Sequence, residues 1–204
     1  MSDTWDMVHA ERVALIRDLS GLDEAQWRQQ SLCGDWTVRE VAAHLVHNAR
    51  TTRLGFVVAM ARARFDFDRQ NAMGVASELG ASSADTLEGL RAVADRRSGP
   101  PAPLDSRLVE EVVHGEDIRR PLGLPRAYSP EAVERSLRYQ ARTSVGMGGG
   151  KQRVAGVTLR ATDADVVIGD GPEVSGTVLS LLLVVSGRRE ALADVGGPGV
   201  PALT

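Results

Sequence analysis

The sequence predicts an α+β protein, in which an N-terminal bundle of four or more helices precedes a small C-terminal α/β module. Two observations lead to this prediction. Up to residue 119, stretches with apolar side chains at helical spacing alternate with capping and breaking residues. After residue 150, short segments rich in Val and Thr predict strands, and the apolar run of residues 178–185 predicts a helix buried on all sides.

The composition is typical of a globular protein. The chain has 204 residues, of which 43% are hydrophobic and 25% charged, so a core can form without disulfides or metals. A net charge of −3 without a basic tract argues against a nucleic-acid partner. The single cysteine, Cys33, excludes an intramolecular disulfide. With no signal peptide and no bilayer-length apolar run, we expect a soluble, cytoplasmic protein without a membrane partner; its oligomeric state stays open.

The N-terminal elements follow from spacing and caps. Residues 3–19 predict the first helix, and residues 20–36 an irregular connection. Thr37 and Glu40 have the form of a capping box, which opens a second helix. Because no Gly-Pro signal interrupts it, this helix is expected to continue past Met60.

Three more helical segments are predicted before residue 122. They cover residues 68–79, with Gly80 as the stop, then residues 82–97, and then residues 104–119, which Pro121 ends. The second half begins with a helix at Ser129. These segments complete the helical part of the prediction.

The C-terminal module is predicted from its turns and strands. Residues 153–169 predict two short strands about a turn, residues 169–176 a turn, and residues 188–195 a short last helix. The glycine-rich segment 146–150 is a candidate interdomain hinge. We place the helical bundle at residues 1–125 and the α/β domain at residues 126–204.

Helix 104–119 carries a set of polar side chains with two interpretations. Glu110, His114 and Asp117 cluster opposite the apolar arc, so periodicity alone favours a solvated face. However, residues four apart share a helix face, so Glu110 and His114 can also ligate one ion.

A histidine on another helix would complete such a site. In the helix opened by Thr37, His44 lies on the border of the apolar arc, whereas His47 is expected to face solvent. Two histidines and a carboxylate with an open fourth position form a catalytic zinc site, and bundles build metal sites from facing helices. The residues alone do not establish that the two helices face each other, so both interpretations remain.

Three stretches resemble the mycothiol-dependent maleylpyruvate isomerase family, part of the DinB-like superfamily. They are "SLCGDWTVREVAAHLVHNAR", "EEVVHGEDIRRPLG" and "GVTLRATDADVVIGDGPEVSGTVLSLLLVVSGR", and they occur in the family's order over nearly the whole chain. The resemblance implies a DinB-like four-helix bundle followed by a sterol-carrier-like domain. It also implies a divalent metal, usually zinc, with His44, Glu110 and His114 as its ligands.

The resemblance implies an activity as well. It is a metal-dependent isomerase or S-transferase that uses a low-molecular-weight thiol, mycothiol, as cosubstrate. The substrate would be a small electrophile, with a carboxylate as a candidate group. The family's C-terminal module places an arginine toward the bundle site, and Arg188 in "SGR" is the matching position. A solvent-exposed helix start is the alternative role of Arg188.

Two further residues have predicted structural roles. Asp117 lies three residues after His114 and can accept a hydrogen bond from the second imidazole nitrogen; a salt bridge to Arg119 or Arg120 is the alternative. Cys33 is expected to be buried packing rather than a nucleophile.

A second function remains open: a non-catalytic divalent-metal-binding protein for stress-related sequestration or sensing. An open coordination position beside a pocket favours the enzyme. A fourth ligand from His47 or Cys33 would favour the non-catalytic protein.

Overall fold

The computed structural model describes residues 3–34 and 36–203. The chain divides into two compact units, Met1–Ala127 and Tyr128–Thr204. The described residues are mostly helical, with a small three-stranded sheet in the second unit. The predicted α+β fold class is thereby confirmed.

In the first unit, the residues that the structure describes form seven helices. They are α1 (Thr4–Leu19), α2 (Glu24–Trp27), α3 (Val38–Arg50), α4 (Arg53–Arg62), α5 (Phe67–Glu78), α6 (Ser83–Val93) and α7 (Asp105–Arg119). Helix α3 packs against α5, α6 and α7, and α1 packs against α6 and α7. The core therefore forms around α3, whose apolar residues Val38, Val41 and Leu45 are almost completely buried.

The caps of this unit follow the sequence closely. Thr37 and Glu40 form the predicted capping box at the start of α3. Gly80 follows α5 with φ +70°, a conformation that glycine adopts without a steric penalty. The connection predicted to be irregular contains the short helix α2, because Asp23 caps it in a second capping box with Gln26.

The long helix predicted from Thr37 past residue 60 is wrong. Helix α3 ends at Arg50, and Thr51 is extended, with its hydroxyl donating to the His47 carbonyl oxygen at 2.8 Å. Thr52 then caps α4 by accepting a backbone hydrogen bond from three residues on. The side chains of two consecutive threonines thus satisfy backbone groups at the break between α3 and α4. Helix propensity alone does not predict this break.

The described residues of the second unit form two α-helices and a small sheet. Its elements are α8 (Pro130–Gln140), β1 (Thr158–Ala161), β2 (Val167–Gly169), β3 (Glu173–Gly176) and α9 (Val178–Val185), with 3₁₀ turns at Val145–Met147, Arg189–Asp194 and Val200–Leu203. The strand order is β2-β1-β3, with β1 antiparallel to β2 and parallel to β3. Helix α9 packs against α8, β1 and β3 and is buried, as predicted.

Two predictions for the second unit are corrected. The segment predicted as a turn contains β3, because Val174 is buried and pairs with Leu159 of β1. The predicted last helix is the 3₁₀ turn Arg189–Asp194. No helix in the described part of the chain is both long and apolar enough to cross a membrane.

The glycine-rich segment is not a hinge between the units. It lies inside the second unit, whose boundary falls between Ala127 and Tyr128. Gly149 and Gly150 are buried, and a Cβ atom at Gly150 would collide with the backbone of Val185 in α9. These glycines permit close packing, so their number does not indicate mobility.

Candidate metal centre

Helices α3 and α7 face each other in the core and bring three predicted residues together. His44 Nε2 lies 3.2 Å from Glu110 Oε2, and His114 Nε2 lies 3.4 Å from the same oxygen. The His44 and His114 rings meet edge to face, with centroids 4.8 Å apart. The packing of the two helices therefore supplies the proximity that the sequence could not establish.

The interpretation of the polar flank of α7 as a solvated face is wrong. Asp117 is fully buried, and the side chains of His44, His114 and Glu110 are 6%, 13% and 24% exposed. The facing helix α3 supplies polar partners for this flank. Asn48 of α3, for example, donates to Glu110 Oε2 at 2.5 Å. Helix α7 is central in the unit, so both of its faces contact protein.

The three side chains shift one another's pKa values. Burial by itself would raise the pKa of Glu110, but hydrogen bonds to His114 and His44 hold that pKa well below its ordinary value. Burial lowers the pKa of His44, which favours the neutral imidazole. Burial also opposes a charge on His114, yet its hydrogen bonds to Asp117, Cys33 and Glu110 raise its pKa well above the ordinary value.

Asp117 makes the hydrogen bond that the sequence suggested. Its Oδ2 atom lies 2.8 Å from Nδ1 of His114. An N–H on Nδ1 donates to Asp117, so a metal ion that displaces the Nε2 proton would meet the Nε2 lone pair on the side of Glu110 and His44, as a metal ligand requires. Of the alternative partners, Arg119 contacts Asp18 and Arg120 contacts Glu116.

We expect Asp117→Asn to weaken zinc binding by about tenfold, the lower end of the effect for residues that orient a metal ligand. The amide keeps an acceptor for the imidazole N–H but removes the charge that makes His114 more basic. Competition with a chelator of known affinity measures the change. Asp163→Asn, in the second unit, is the control, and equal affinities in both variants would contradict the orienting role.

Asn48 belongs to the cluster and was missed in the sequence. Its Nδ2 atom donates to Glu110 Oε2 at 2.5 Å and lies 3.4 Å from His44 Nε2. Its Oδ1 atom accepts a hydrogen bond from Arg107 at 3.2 Å. The signal was available, because Asn48 follows His44 by four residues and so shares its helix face.

Two other residues near the cluster depart from expectation. His47 is half-buried, not solvent-facing: Gln70 of α5 donates to its Nε2 atom at 3.1 Å, and Gly74 leaves room for its ring. Cys33 is half-buried as a free thiol that packs against the core. Its sulfur also lies within 4.8 Å of ligand atoms of His114 and Asp117, which makes a second group of metal-ligand type.

The geometry of His44, Glu110 and His114 is compatible with a zinc site. Zn–N and Zn–O bonds of about 2.0–2.2 Å in a tetrahedron separate neighbouring ligand atoms by roughly 3.3–3.5 Å. The observed separations of 3.2 and 3.4 Å agree with this. All three ligand atoms lie within 4.8 Å of one another, and two imidazoles with one carboxylate form a donor set that zinc prefers.

Comparison with known proteins identifies the family. Residues 8–119 match the family described as "Mycothiol maleylpyruvate isomerase N-terminal domain". The chain belongs to this family. The match includes α3 and α7 and therefore all three residues of the cluster.

Two solved structures share the fold of this family member. One is the mycothiol-dependent maleylpyruvate isomerase, with 18% identity, and the other a histidine-to-alanine mutant of a protein with that name, with 15% identity. Both have a TM-score of 0.62, and each alignment covers 96% of this chain and 91% of the other. No curated protein matches the chain.

Arg188, the predicted catalytic residue, lies in the second unit of this family member. It is half-buried at the N-cap of the 3₁₀ turn Arg189–Asp194, and its Nη1 atom donates to the Ser186 carbonyl oxygen at 2.7 Å. Arg153 lies close enough for Arg188 to contribute, after burial, to lowering its pKa. The role of Arg188 toward the cluster stays a prediction.

Proposed function

We propose that this protein is a metal-dependent isomerase or S-transferase that uses mycothiol, a low-molecular-weight thiol, and acts on a small electrophile that carries a carboxylate. One observation carries the proposal: in a member of the mycothiol maleylpyruvate isomerase family, His44, Glu110 and His114 converge with the spacing of a zinc site. The names of the two solved structures support the choice of thiol and of reaction.

His44, Glu110 and His114 would hold the ion, with zinc the metal we propose. When bound, zinc would lower the pKa of a thiol at its open position, so that a thiolate forms at neutral pH. In isomerisation, the cosubstrate's thiolate adds to a conjugated double bond and leaves again after rotation about the resulting single bond. In S-transfer it displaces a leaving group and stays on the product.

The protein's own residues prepare this chemistry. Asp117 fixes the tautomer of His114, and Asn48 holds the Glu110 carboxylate through a hydrogen bond of 2.5 Å. Burial excludes water from the cluster and strengthens these interactions. We further propose that Arg188 orients a substrate carboxylate, a role in which the neighbouring Arg153 adds positive charge.

The non-catalytic alternative requires that the fourth position be closed. His47 binds Gln70 and lies outside the cluster, and Cys33 groups with His114 and Asp117 but not with His44 and Glu110. Among residues 3–34 and 36–203, no fourth His, Cys, Asp or Glu joins the three in one group. This favours the enzyme over sequestration or sensing. A cytoplasmic location is part of the proposal, because Cys33 is a free thiol.

A turnover assay tests the proposed function. We expect the zinc-loaded protein to convert maleylpyruvate only when mycothiol is present, and Glu110→Gln to lose most of this activity together with metal affinity. Product formation is followed by chromatography, with a panel of other electrophiles to detect S-transfer. The control is Glu88→Gln on the exposed side of α6, where the side chain is 72% exposed. A zinc-bound protein that is inactive on the whole panel would support the non-catalytic alternative.

A further inference from the structure

A cavity of about 290 Å³ lies in the first unit. Three arginines, Arg53, Arg97 and Arg107, contribute to its wall, and no acidic residue does. Trp5, Pro100, Ala102 and Leu104 add apolar surface. The cavity thus combines positive charge with an apolar lining, in a volume close to that of small-molecule sites.

Arg107 differs from the other two arginines of the cavity wall because it is buried. Only 6% of it is exposed, yet no described carboxylate lies within ion-pair distance of its guanidinium. Its hydrogen bonds are to Ser106 Oγ, from Nε and Nη2, and to Asn48 Oδ1, from Nη1. A guanidinium has five N–H groups, so these three bonds leave two that no described residue accepts.

The other buried arginines of this unit are paired differently. Arg12 donates to Glu111, and Arg119 donates to Asp18, each at 2.7 Å. Taking a cation out of water without a counter-ion is strongly unfavourable, and an anion with good geometry offsets that cost. An anion that enters the cavity would supply the ion-pair partner that Arg107 lacks among the described residues.

The remaining arginines strengthen this conclusion. Arg53, at the start of α4, is exposed and forms no ion pair with a described residue. Arg97 is 57% exposed and approaches Asp3 and Asp6 only at 3.9 and 3.8 Å, distances of weak surface pairs. Both side chains can contact an anion without breaking a strong interaction.

The cavity is also connected to the metal centre. Asn48 accepts from Arg107 through Oδ1 and donates to Glu110 through Nδ2. One amide group therefore joins the wall of the cavity to the carboxylate of the cluster. An anion bound to Arg107 would be linked to Glu110 through the two hydrogen bonds of Asn48.

We propose that this cavity binds a small organic carboxylate, which Arg107 holds with help from Arg53. The apolar wall formed by Trp5 and Leu104 favours an organic acid over inorganic phosphate, and planar guanidinium matches a carboxylate. The identification of this acid as the substrate rests on the proposed function, but its binding requires only the first unit. Arg107 and Arg53 thus form an acid-binding subsite in the bundle, separate from Arg188.

Calorimetric titration with malonate tests the subsite. We expect wild type to bind malonate, and Arg107→Gln to bind it at least tenfold more weakly, roughly the effect of losing one charged hydrogen-bonded contact. Arg53→Gln should weaken malonate binding about threefold. Because Arg53 is exposed, this variant is expected to fold, and it tests the subsite if circular dichroism reveals that Arg107→Gln is unfolded. The control is Arg28→Gln at the C-cap of α2, where the side chain is 71% exposed, and this variant should bind malonate like wild type.

His44→Ala separates the arginine subsite from the metal. Because malonate could also bind an ion, the proposal requires that its affinity survive within about twofold when this metal ligand is removed. Loss of malonate binding in His44→Ala with retention in Arg107→Gln would overturn the subsite. So would equal binding of neutral malonamide, or tighter binding of inorganic phosphate.

The same titrations keep the two proposals distinguishable. Malonate binding that depends on Arg107 in a protein without thiol-dependent turnover would support the subsite and contradict the proposed function. Turnover without any malonate binding would support the proposed function and overturn the subsite.

Discussion

Replacing His114 with alanine should lower zinc affinity by roughly a hundred- to a thousandfold. Zinc binding of about 10–16 kcal/mol shared among four ligands amounts to about 2.5–4 kcal/mol for each, and each 1.4 kcal/mol is a factor of ten. His114 contributes Nε2, which lies 3.4 Å from Glu110 Oε2 and belongs to the candidate ligand group. Its loss leaves one histidine and one carboxylate, too few for a stable zinc site. Metal content by mass spectrometry and chelator competition measure the effect.

His47→Ala is the matched control for this experiment. His47 lies on α3 one turn from His44, is half-buried, and accepts a hydrogen bond from Gln70. It belongs to no described ligand group, so its replacement should leave zinc affinity unchanged. Equal zinc occupancy in wild type and His114→Ala would refute the metal centre. Loss of zinc in His47→Ala alone would indicate that zinc binds at another site.

Arg188→Ala should lower kcat/KM by roughly ten- to a hundredfold without changing metal content. A charged, bidentate contact to a carboxylate contributes on the order of 1.5–3 kcal/mol, which corresponds to that loss of rate. Arg188 belongs to the second unit, whereas the three candidate ligands belong to the first. Its side chain is therefore expected to act on the substrate and not on the ion. Kinetics with maleylpyruvate and mycothiol, paired with zinc analysis, test both parts.

Arg189→Ala provides the control at the adjacent position. Arg189 is exposed, whereas Arg188 is half-buried, so Arg189→Ala should retain wild-type kinetics. Unchanged kcat/KM in Arg188→Ala would remove its catalytic role. A fall in zinc content in that variant would instead indicate that Arg188 supports the metal centre.

Much of the helical architecture could be predicted because its signals are local. Capping at Thr37 and the stop at Gly80 involve residues within one helical turn. The buried character of α9 follows from eight consecutive residues of which seven are apolar in "VLSLLLVV". Such features depend on residues that are close in the chain, so they can be predicted from the sequence.

The errors arose where distant residues decide the outcome. Periodicity describes one helix in isolation, so it indicated that the polar flank of α7 is solvated. The partners of that flank, such as Asn48, come from another helix. Gly150 resembled a flexible linker, although the close approach of α9 requires a residue without a side chain. Strand β3 was missed because its stability comes from pairing with β1.

For the candidate site, the sequence alone determined the residue types and their spacing on each helix. Glu110 and His114 must share a face of α7, and His44 must lie at the edge of the apolar arc of α3, since helix geometry dictates both. Only the tertiary structure decided that these faces meet, that Asn48 joins them, and that Arg107 is buried with no carboxylate partner among the described residues. The reason is physical: helix periodicity is a property of the local chain, whereas the packing of α3 against α7 depends on the whole core.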